Sequence, residues 1–299
     1  MRIVTRADLD GVVCAVLLLE KEQITQPIYW VEPSEMQKNE VQIEPTDIVA
    51  NLPYDKNCAM WFDHHVTNQQ IAENFKGLFE IAPSAAGLIY RFYNKTFDFD
   101  YAELVHQTDR IDSADLTLDE VNSPEINPYL LLSMTLSSRN KEDFPYWNHV
   151  VEQLRTKPIE DVLQDPLIND RCSKVTEQNK TYKKLLNLHT TLNQHICITD
   201  FTGFEKAPKG NRFLAYSMFP ETTVSIKITN HPTDPERIIV SVGHSIFNRG
   251  CNVNVGFMLS HFEGGGHRGA GSCNFHRSLK EKHLPNIIDI LLKNESNEP

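Results

Sequence analysis

Residues 2–22, RIVTRADLDGVVCAVLLLEKE, place a short β-branched run directly before a long apolar stretch. We predict a strand over 2–5, because Ile, Val and Thr favour pleated structure, and a helix over 11–22 with a continuous apolar face. The connection between them is short, so the carboxylates of Asp8 and Asp10 stand at the carboxyl end of the strand. Open α/β sheets bind their ligands at that edge.

Three later segments also have the character of strands, because each is rich in β-formers and bounded by Pro, Asn, Asp or Lys. Their ranges are 27–31, 47–51 and 58–62. Residues 84–93, SAAGLIYRFY, have helical spacing, and Ser84 is a suitable N-cap. Strands that alternate with longer connections favour a mostly parallel sheet with helices on its faces.

The remainder of the chain changes character twice. Residues 123–195 have mainly helical patterns interrupted by prolines, and β-rich segments return from residue 196. The predicted fold class is therefore α/β, with a parallel-sheet domain joined through a helical linker to a smaller C-terminal α/β domain. We predict a first domain core over 1–122, a helical region and interdomain linker over 123–195, and a second domain over 196–299.

The composition is that of an ordinary globular protein, with 299 residues, 40% hydrophobic and 23% charged. No run approaches the roughly 20 apolar residues of a spanning helix, and the first residues do not resemble a leader, so we expect a cytoplasmic protein without membrane partners. The six cysteines contain no C-x-x-C pair, which argues against a zinc ribbon or a disulfide scaffold. A net charge of -11 disfavours long nucleic acid as a partner.

The turn Asp8-Leu9-Asp10-Gly11 is the first candidate site. Two aspartates at i and i+2 offer adjacent oxygen ligands to a hard divalent cation, and the glycine lets the backbone turn closely around it. A structural role is the alternative, with Asp10 as a helix N-cap and Asp8 in a solvated turn.

The segment Trp61-Phe62-Asp63-His64-His65 is an apolar strand that ends in three ionisable side chains. A parallel strand of this kind delivers them to the same sheet edge as the two aspartates. A carboxylate beside a histidine can hold one ring nitrogen and leave the other for a metal. An exposed strand end with two surface histidines is the structural alternative.

A glycine-rich segment, GGGHRGAG at residues 264–271, holds five of the 13 glycines of the chain. Such density lets backbone N–H groups converge on phosphate oxygens, while His267 or Arg268 adds charge-assisted hydrogen bonds. A flexible turn is the alternative. We expect an anion site here.

Together, the three motifs resemble those of the DHH phosphoesterase superfamily with its C-terminal DHHA1 domain. Within that superfamily, the residues around the first two motifs are most similar to those of exopolyphosphatase-related proteins. Asp8-x-Asp10 resembles the first motif, Asp63-His64-His65 the third, and the Gly-Gly-Gly-His segment at 264–267 the DHHA1 motif. The resemblance spans nearly the whole chain. It implies an active-site cleft between the two domains, and hydrolysis of phosphodiester or phosphoanhydride bonds with one or two Mn²⁺ or Mg²⁺ ions.

The resemblance also implies roles for individual residues. Asp8, Asp10 and His64 would be metal ligands, His65 would contact the substrate phosphate, and Asp63 would orient the histidines, so that Asp63, His64 and His65 form the catalytic set. A fourth aspartate of the family best matches Asp109, with Asp112 as the weaker match. The implied substrate contacts are Arg6, His65, Arg249, Gly264, Gly265, Gly266, His267 and Arg268.

Two residues depart from the family pattern. Arg6 stands where many members have a histidine ligand, and Asn51 stands where a bridging aspartate is expected. Arginine stays protonated and cannot ligate a metal. At about 6 Å and an effective dielectric of about 20, its charge repels a divalent ion by roughly 5 kcal/mol. We therefore expect one firmly held metal, with Asn51 a weak ligand and a second ion weak, substrate-dependent or absent.

The predicted function is metal-dependent hydrolysis of a small phosphorylated substrate: a short oligonucleotide, a cyclic or linear dinucleotide, a phosphonucleoside or polyphosphate. One alternative is a phospho-ligand sensor that has lost turnover through Arg6 and Asn51. Another is a single-strand-specific nuclease, which would need a basic and aromatic track that the net charge of -11 opposes. A homodimer is compatible with the sequence.

Overall fold

The computed structural model describes residues 1–69, 74–138 and 141–298. The chain forms two compact units. The first comprises Met1–Glu120 and Pro124–Val175, and the second comprises Val121–Ser123 and Thr176–Pro299.

A parallel five-stranded sheet is the centre of the first unit, in the order β2-β1-β3-β4-β5. The predicted strands are present; the first has the predicted bounds, and the other three are shorter than their sequence patterns. The last strand was not predicted, because three residues are too few for a periodic signal. The strands are β1 Arg2–Thr5, β2 Tyr29–Trp30, β3 Asp47–Ala50, β4 Met60–Asp63 and β5 Gly77–Phe79.

The helix α1, Leu9–Lys21, is the central helix of this unit. Its residues 9–18 are all buried, so it is enclosed on every side rather than on one face. It packs against α3, α4 and α7. The helices up to residue 189 are α2 Pro33–Gln37, α3 Ala85–Phe92, α4 Ala102–Asp112, α5 Leu118–Asn122, α6 Pro128–Ser133, α7 Phe144–Thr156, α8 Ile159–Gln164 and α9 Pro166–His189.

The helical region predicted as a linker divides between the two units. Residues 124–175 belong to the first unit, where Trp147, Val150 and Val151 of α7 join the same core as α1. The prolines that interrupt the sequence pattern lie where helices begin, at positions that need no intrahelical N–H donor. They are Pro128 in α6, Pro145 in α7, Pro158 before α8 and Pro166 in α9.

A mixed six-stranded sheet forms the second unit, in the order β10-β11-β9-β8-β7-β6. Only β7 and β8 pair in parallel among these strands, and a core that includes Ile226, Val240 and Phe275 covers the sheet. The elements are β6 Thr190–Asn193, β7 Ile196–Asp200, α10 Leu214–Met218, β8 Val224–Asn230, β9 Arg237–His244, α11 Val255–Ser260, β10 Gly264–His267, β11 Ala270–His276 and α12 Lys280–Lys293.

Across the described ranges, no helix combines the length and the apolar character needed to cross a membrane.

Candidate metal centre

Three neighbouring strands of the first sheet deliver polar residues to one edge. Asp8 follows β1, Asn51 follows β3, and Asp63 ends β4 directly before His64 and His65. Because these strands are adjacent and parallel, their carboxyl ends meet at the edge where α/β sheets bind ligands.

One group at this edge joins Asp10, His64 and Asp112. The Nε2 atom of His64 lies 3.6 Å from Oδ2 of Asp10 and 3.4 Å from Oδ2 of Asp112. Asp10 is 1% exposed, in the first turn of α1, and Asp112 ends α4. Two carboxylates and an imidazole nitrogen therefore converge from three separate elements, which makes a donor set for a divalent cation.

The tautomer of His64 fits a metal ligand. Its Nδ1 atom lies 2.9 Å from the carbonyl oxygen of Ala82, which only accepts hydrogen bonds, so Nδ1 carries the proton. Nε2 then presents its lone pair to the two carboxylates and has no hydrogen-bond partner within the described part of the chain. A lone pair and two carboxylates that face one another in a buried site repel each other, and a cation bound among them removes this repulsion. The residues therefore fit a bound cation.

Electrostatics at this group point the same way. Burial raises the pKa of Asp10 to about 6, and burial with the charges of Asp10 and Asp8 raises that of Asp112 to about 7. Burial opposes charge on the His64 ring, but the two carboxylates outweigh it and raise the pKa of His64 overall. Protons therefore remain bound at nearly neutral pH unless a cation replaces them.

The helix α3 fixes the orientation of Asp10. Backbone N–H groups of Ala85 and Ala86 donate to its carboxylate over 3.0 and 2.8 Å, and the Cys14 thiol lies 3.7 Å from Oδ1. Ser84 is the N-cap of α3, as predicted, since its hydroxyl accepts from the N–H of Gly87. The sequence thus indicated the start of this helix, but gave no signal that its free N–H groups face Asp10.

The structural alternative stated above, with Asp10 as the N-cap and Asp8 in a solvated turn, does not describe the two aspartates. Asp8 is the N-cap of α1, and Asp10 is buried beside His64. Oδ1 of Asp8 accepts from Gly11 N at 2.9 Å and from Asn51 Nδ2 at 3.0 Å, and Oδ2 lies 3.3 Å from Nη1 of Arg6. Asp8 lies outside the groups of potential metal ligands found among the described residues. Asn51 directs its amide N–H, not its carbonyl, toward Asp8.

The glycine of the D-x-D-G turn has a packing role. A Cβ atom on Gly11 would lie 1.9 Å from the carbonyl oxygen of Arg6. Only glycine therefore permits α1 to begin this close to the end of β1.

The aspartate of α4 that lies beside His64 is Asp112, whereas Asp109 was the preferred match to the fourth aspartate of the family. Asp112 lies in the group with His64, whereas Oδ1 of Asp109 accepts from the Ser84 hydroxyl at 2.5 Å. Both aspartates are on α4 three residues apart, so they share a helix face, and sequence alone gave no means to choose between them.

Asp63 orients one of the two histidines. Its buried carboxylate accepts from His65 Nδ1 at 2.8 Å and from Asn68 Nδ2 at 2.6 Å. The side chain of His65 is 37% exposed and its ring lies 4.2 Å from that of His64, so its Nε2 can reach a bound ligand. The Ala82 carbonyl, instead of Asp63, holds His64.

Most of the glycine-rich segment lies in two paired strands, and not in the flexible turn stated above as its structural alternative. Gly264–His267 forms β10 and pairs antiparallel with β11 at the edge of the second sheet. Close packing explains part of its composition, because a Cβ on Gly256 of α11 would lie 2.3 Å from the carbonyl oxygen of Gly266, and one on Gly264 would lie 2.4 Å from that of Ser272. A Cβ on Gly265 would meet nothing within 4 Å.

The charged residues expected to contact substrate in the second unit have different surroundings. Arg268 donates through Nε to Oε1 of Glu298 at 2.8 Å, so a carboxylate already accompanies its charge. Arg249 and His267 are exposed, and Nε of Arg249 lies 3.4 Å from the carbonyl oxygen of Ile246.

Comparisons with known proteins identify the family. No family model and no curated protein sequence matches the chain. Among solved structures, the pGpG-specific phosphodiesterase PggH from Vibrio cholerae is similar with 30% identity and a TM-score of 0.85, over 98% of this chain and 99% of that one. The chain belongs to the DHH phosphoesterase superfamily.

More distant solved structures share the DHH fold. An exopolyphosphatase-related protein from Bacteroides fragilis has 12% identity and a TM-score of 0.59, over 98% of this chain and 91% of that one. RecJ from Thermus thermophilus, in complex with Mn²⁺, has 11% identity and a TM-score of 0.57, over 98% of this chain and 52% of that one. The predicted α/β fold class, with a parallel-sheet domain and a second, smaller sheet domain, is confirmed.

Proposed function

We propose that the protein is a divalent-metal-dependent phosphodiesterase that hydrolyses a short linear dinucleotide such as pGpG. One observation carries the proposal: Asp10, His64 and Asp112 converge at the sheet edge in a chain that is 30% identical, over almost its full length, to a pGpG-specific phosphodiesterase.

The donor set supports Mn²⁺ or Mg²⁺ as the cofactor, since carboxylate oxygens predominate and one imidazole is added. Asp10 and Asp112 supply negative charge, and His64 supplies Nε2 because Ala82 holds its other nitrogen. A bound divalent ion lowers the pKa of a coordinated water and stabilises charge on phosphoryl oxygens.

Other residues of the chain position the substrate. His65, held by Asp63, presents Nε2 to a phosphoryl oxygen, and the Arg6 guanidinium beside Asp8 adds positive charge. We assign the 5′-phosphate of the dinucleotide to a second group of donors, which carries charge and backbone N–H at an edge strand. That group comprises Arg249, His267, Arg268 and, from Gly264, Gly265 and Gly266, the amides that point away from β11.

A dinucleotide is favoured over polyphosphate by the comparisons. The phosphodiesterase has 30% identity and a TM-score of 0.85, whereas the exopolyphosphatase-related protein has 12% and 0.59. Long nucleic acid is disfavoured by the net charge of -11.

The test is release of GMP from pGpG by the purified protein with Mn²⁺ or Mg²⁺, with polyphosphate and a long single-stranded DNA as parallel substrates. We expect pGpG and one water to give two GMP, and EDTA to abolish the reaction. His64→Ala should remove turnover, whereas the matched control His261→Ala, at an exposed position after α11, should retain it.

A sensor is the second candidate, because Arg6 and Asn51 both contact Asp8 and reduce the ligands available to metal. Binding of pGpG without GMP release at any Mn²⁺ or Mg²⁺ concentration would overturn the hydrolase and support the sensor.

A further inference from the structure

The first unit contains a recess that Ala7, the sequence neighbour of Asp8, helps to line. It is lined by Trp30, Glu32, Glu35, Lys141 and Trp147 among others, and we call it the Trp147 recess. Its inner space is about 10 Å³, and the whole recess measured out to open solvent is about 190 Å³. The inner space thus suits one oxygen-sized group.

The indole of Trp147 lacks a partner for its N–H. Trp147 is 2% exposed, and its Nε1 has no hydrogen-bond partner within the described ranges. Buried indole N–H groups normally find an acceptor. The other two tryptophans do so: Trp30 donates to Asn148 Oδ1 and Trp61 donates to the carbonyl oxygen of Leu52, each over 2.9 Å. Among the three tryptophans, Trp147 alone has an indole N–H without a partner in the described part of the chain.

Glu32, which also lines the recess, carries an unused acceptor. Oε1 of Glu32 is buried and has no hydrogen-bond partner among the residues described, while its Oε2 lies 3.8 Å from Nε of Arg6. The neighbouring Glu35 differs, because its carboxylate accepts from the backbone N–H of Glu32 at 2.8 Å and pairs with Lys141. A buried carboxylate oxygen without a donor costs free energy until a ligand supplies one.

Arg6 connects the recess to the metal centre. Its guanidinium lies 3.3 Å from Asp8 through Nη1 and 3.8 Å from Glu32 through Nε. Ala7, between Arg6 and Asp8, also lines the recess. The lining of the recess therefore includes the residue that directly precedes Asp8 in the chain.

We propose that the Trp147 recess binds the Watson–Crick edge of a guanine base of the substrate, with Trp147 Nε1–H donating to O6 and the Glu32 carboxylate accepting from N1–H and N2–H. The inference deepens the proposed function and rests on it. It assigns base specificity to side chains of the first unit.

The chemistry of the two unused groups selects guanine. A carboxylate needs donors, which excludes a phosphate as the occupant and disfavours adenine, whose N1 is an acceptor. The single-oxygen space at the indole N–H matches O6. Hypoxanthine keeps O6 and N1–H but lacks the N2 amine, so its affinity should lie between those of guanine and adenine.

The test is calorimetric binding of pGpG, pIpI and pApA to the full-length protein in EDTA, where affinity does not depend on turnover. We expect pGpG to bind at least about tenfold more tightly than pApA, with pIpI intermediate, as hydrogen bonds to a charged group imply. Glu32→Gln and Trp147→Phe should each reduce the ratio of the pGpG affinity to the pApA affinity toward one. The matched control Glu152→Gln, on the exposed side of α7, should preserve it.

Equal affinities for the three dinucleotides, or no binding of any, would overturn the inference. So would a crystal structure of the pGpG complex with only a water between Trp147 and Glu32. Thermal melting of each variant checks that the fold is retained, and Trp147→Tyr, which keeps a ring but relocates the donor, separates loss of the N–H from loss of packing. GMP release with Mn²⁺ is measured separately, so an active enzyme that cleaves all three alike refutes base recognition and leaves the proposed hydrolase intact.

Discussion

Nδ2 of Asn51 donates to Oδ1 of Asp8 over 3.0 Å. Asn51 is 2% exposed and has a left-handed backbone with a φ of 56°, so its side chain is fixed by the end of β3. Asp8 also accepts from Gly11 and lies against Arg6. Its carboxylate is thus committed to protein partners, and it has little capacity left to bridge two metal ions.

We predict that the protein binds one Mn²⁺ per chain with high affinity. The Arg6→His and Asn51→Asp double variant should bind two, because it removes the guanidinium and the amide donor from Asp8 and adds two ligand types. Elemental analysis after dialysis and calorimetric titration measure the stoichiometry.

The exposed substitution Asn57→Asp, which adds the same charge away from the site, is the control and should leave one ion bound. Two equally tight ions on the unmodified protein would contradict the role given to Asp8.

Asp112 and Asp109 should respond differently to removal of charge. Asp112→Asn is expected to weaken Mn²⁺ binding by at least about 100-fold, because it removes a member of the group with Asp10 and His64. Asp109→Asn should retain Mn²⁺ affinity within a few-fold, since its carboxylate accepts from Ser84. Titration calorimetry on both variants, with melting temperatures as the fold check, distinguishes them. The reverse order of effects would restore Asp109 as the ligand.

The stability of the metal-free protein should fall as pH rises from about 4 to about 7. Folded pKa values of about 6 for Asp10 and about 7 for Asp112 exceed the value near 3.8 of an exposed Asp, so the folded state holds protons that the unfolded state has released. The raised pKa of His64 acts in the same direction, because its stabilising charge is lost as pH rises.

Bound Mn²⁺ replaces these protons, and we therefore expect it to raise the melting temperature more at pH 8 than at pH 5.5. Differential scanning calorimetry in EDTA and in Mn²⁺ at the two pH values measures this. Asp112→Asn should flatten the dependence, and an Mn²⁺ effect that is equal at both pH values would refute the assignment.

Local patterns predicted much of the first unit. The strand before Asp8, the helix after it and the N-cap at Ser84 all follow from a few adjacent residues. Such features depend on propensity, capping and periodicity, which a single sequence contains. The same is true of the delivery of His64 and His65 to the sheet edge, because a parallel strand has only one carboxyl end.

Features that depend on contacts between distant residues were not predictable in this way. Which of Asp109 and Asp112 approaches His64 depends on the packing of α4 against α1, and the partner of Asp8 depends on the amide of Asn51. The glycine-rich strand β10 has no β-propensity of its own, since its pairing with β11 and the close approach of α11 decide its conformation.

Alanine substitutions at Gly264 and Gly265 should distinguish a packing role of β10 from a role in ligand binding. A Cβ on Gly264 would lie 2.4 Å from the Ser272 carbonyl oxygen, so Gly264→Ala should destabilise the protein by about 1–3 kcal/mol. A Cβ on Gly265 has open space, so Gly265→Ala should leave the melting temperature nearly unchanged yet raise KM for pGpG, because a methyl group obstructs a phosphate at the strand amides. Denaturant unfolding and steady-state kinetics measure the two effects. An unchanged KM for Gly265→Ala would remove β10 from the substrate site.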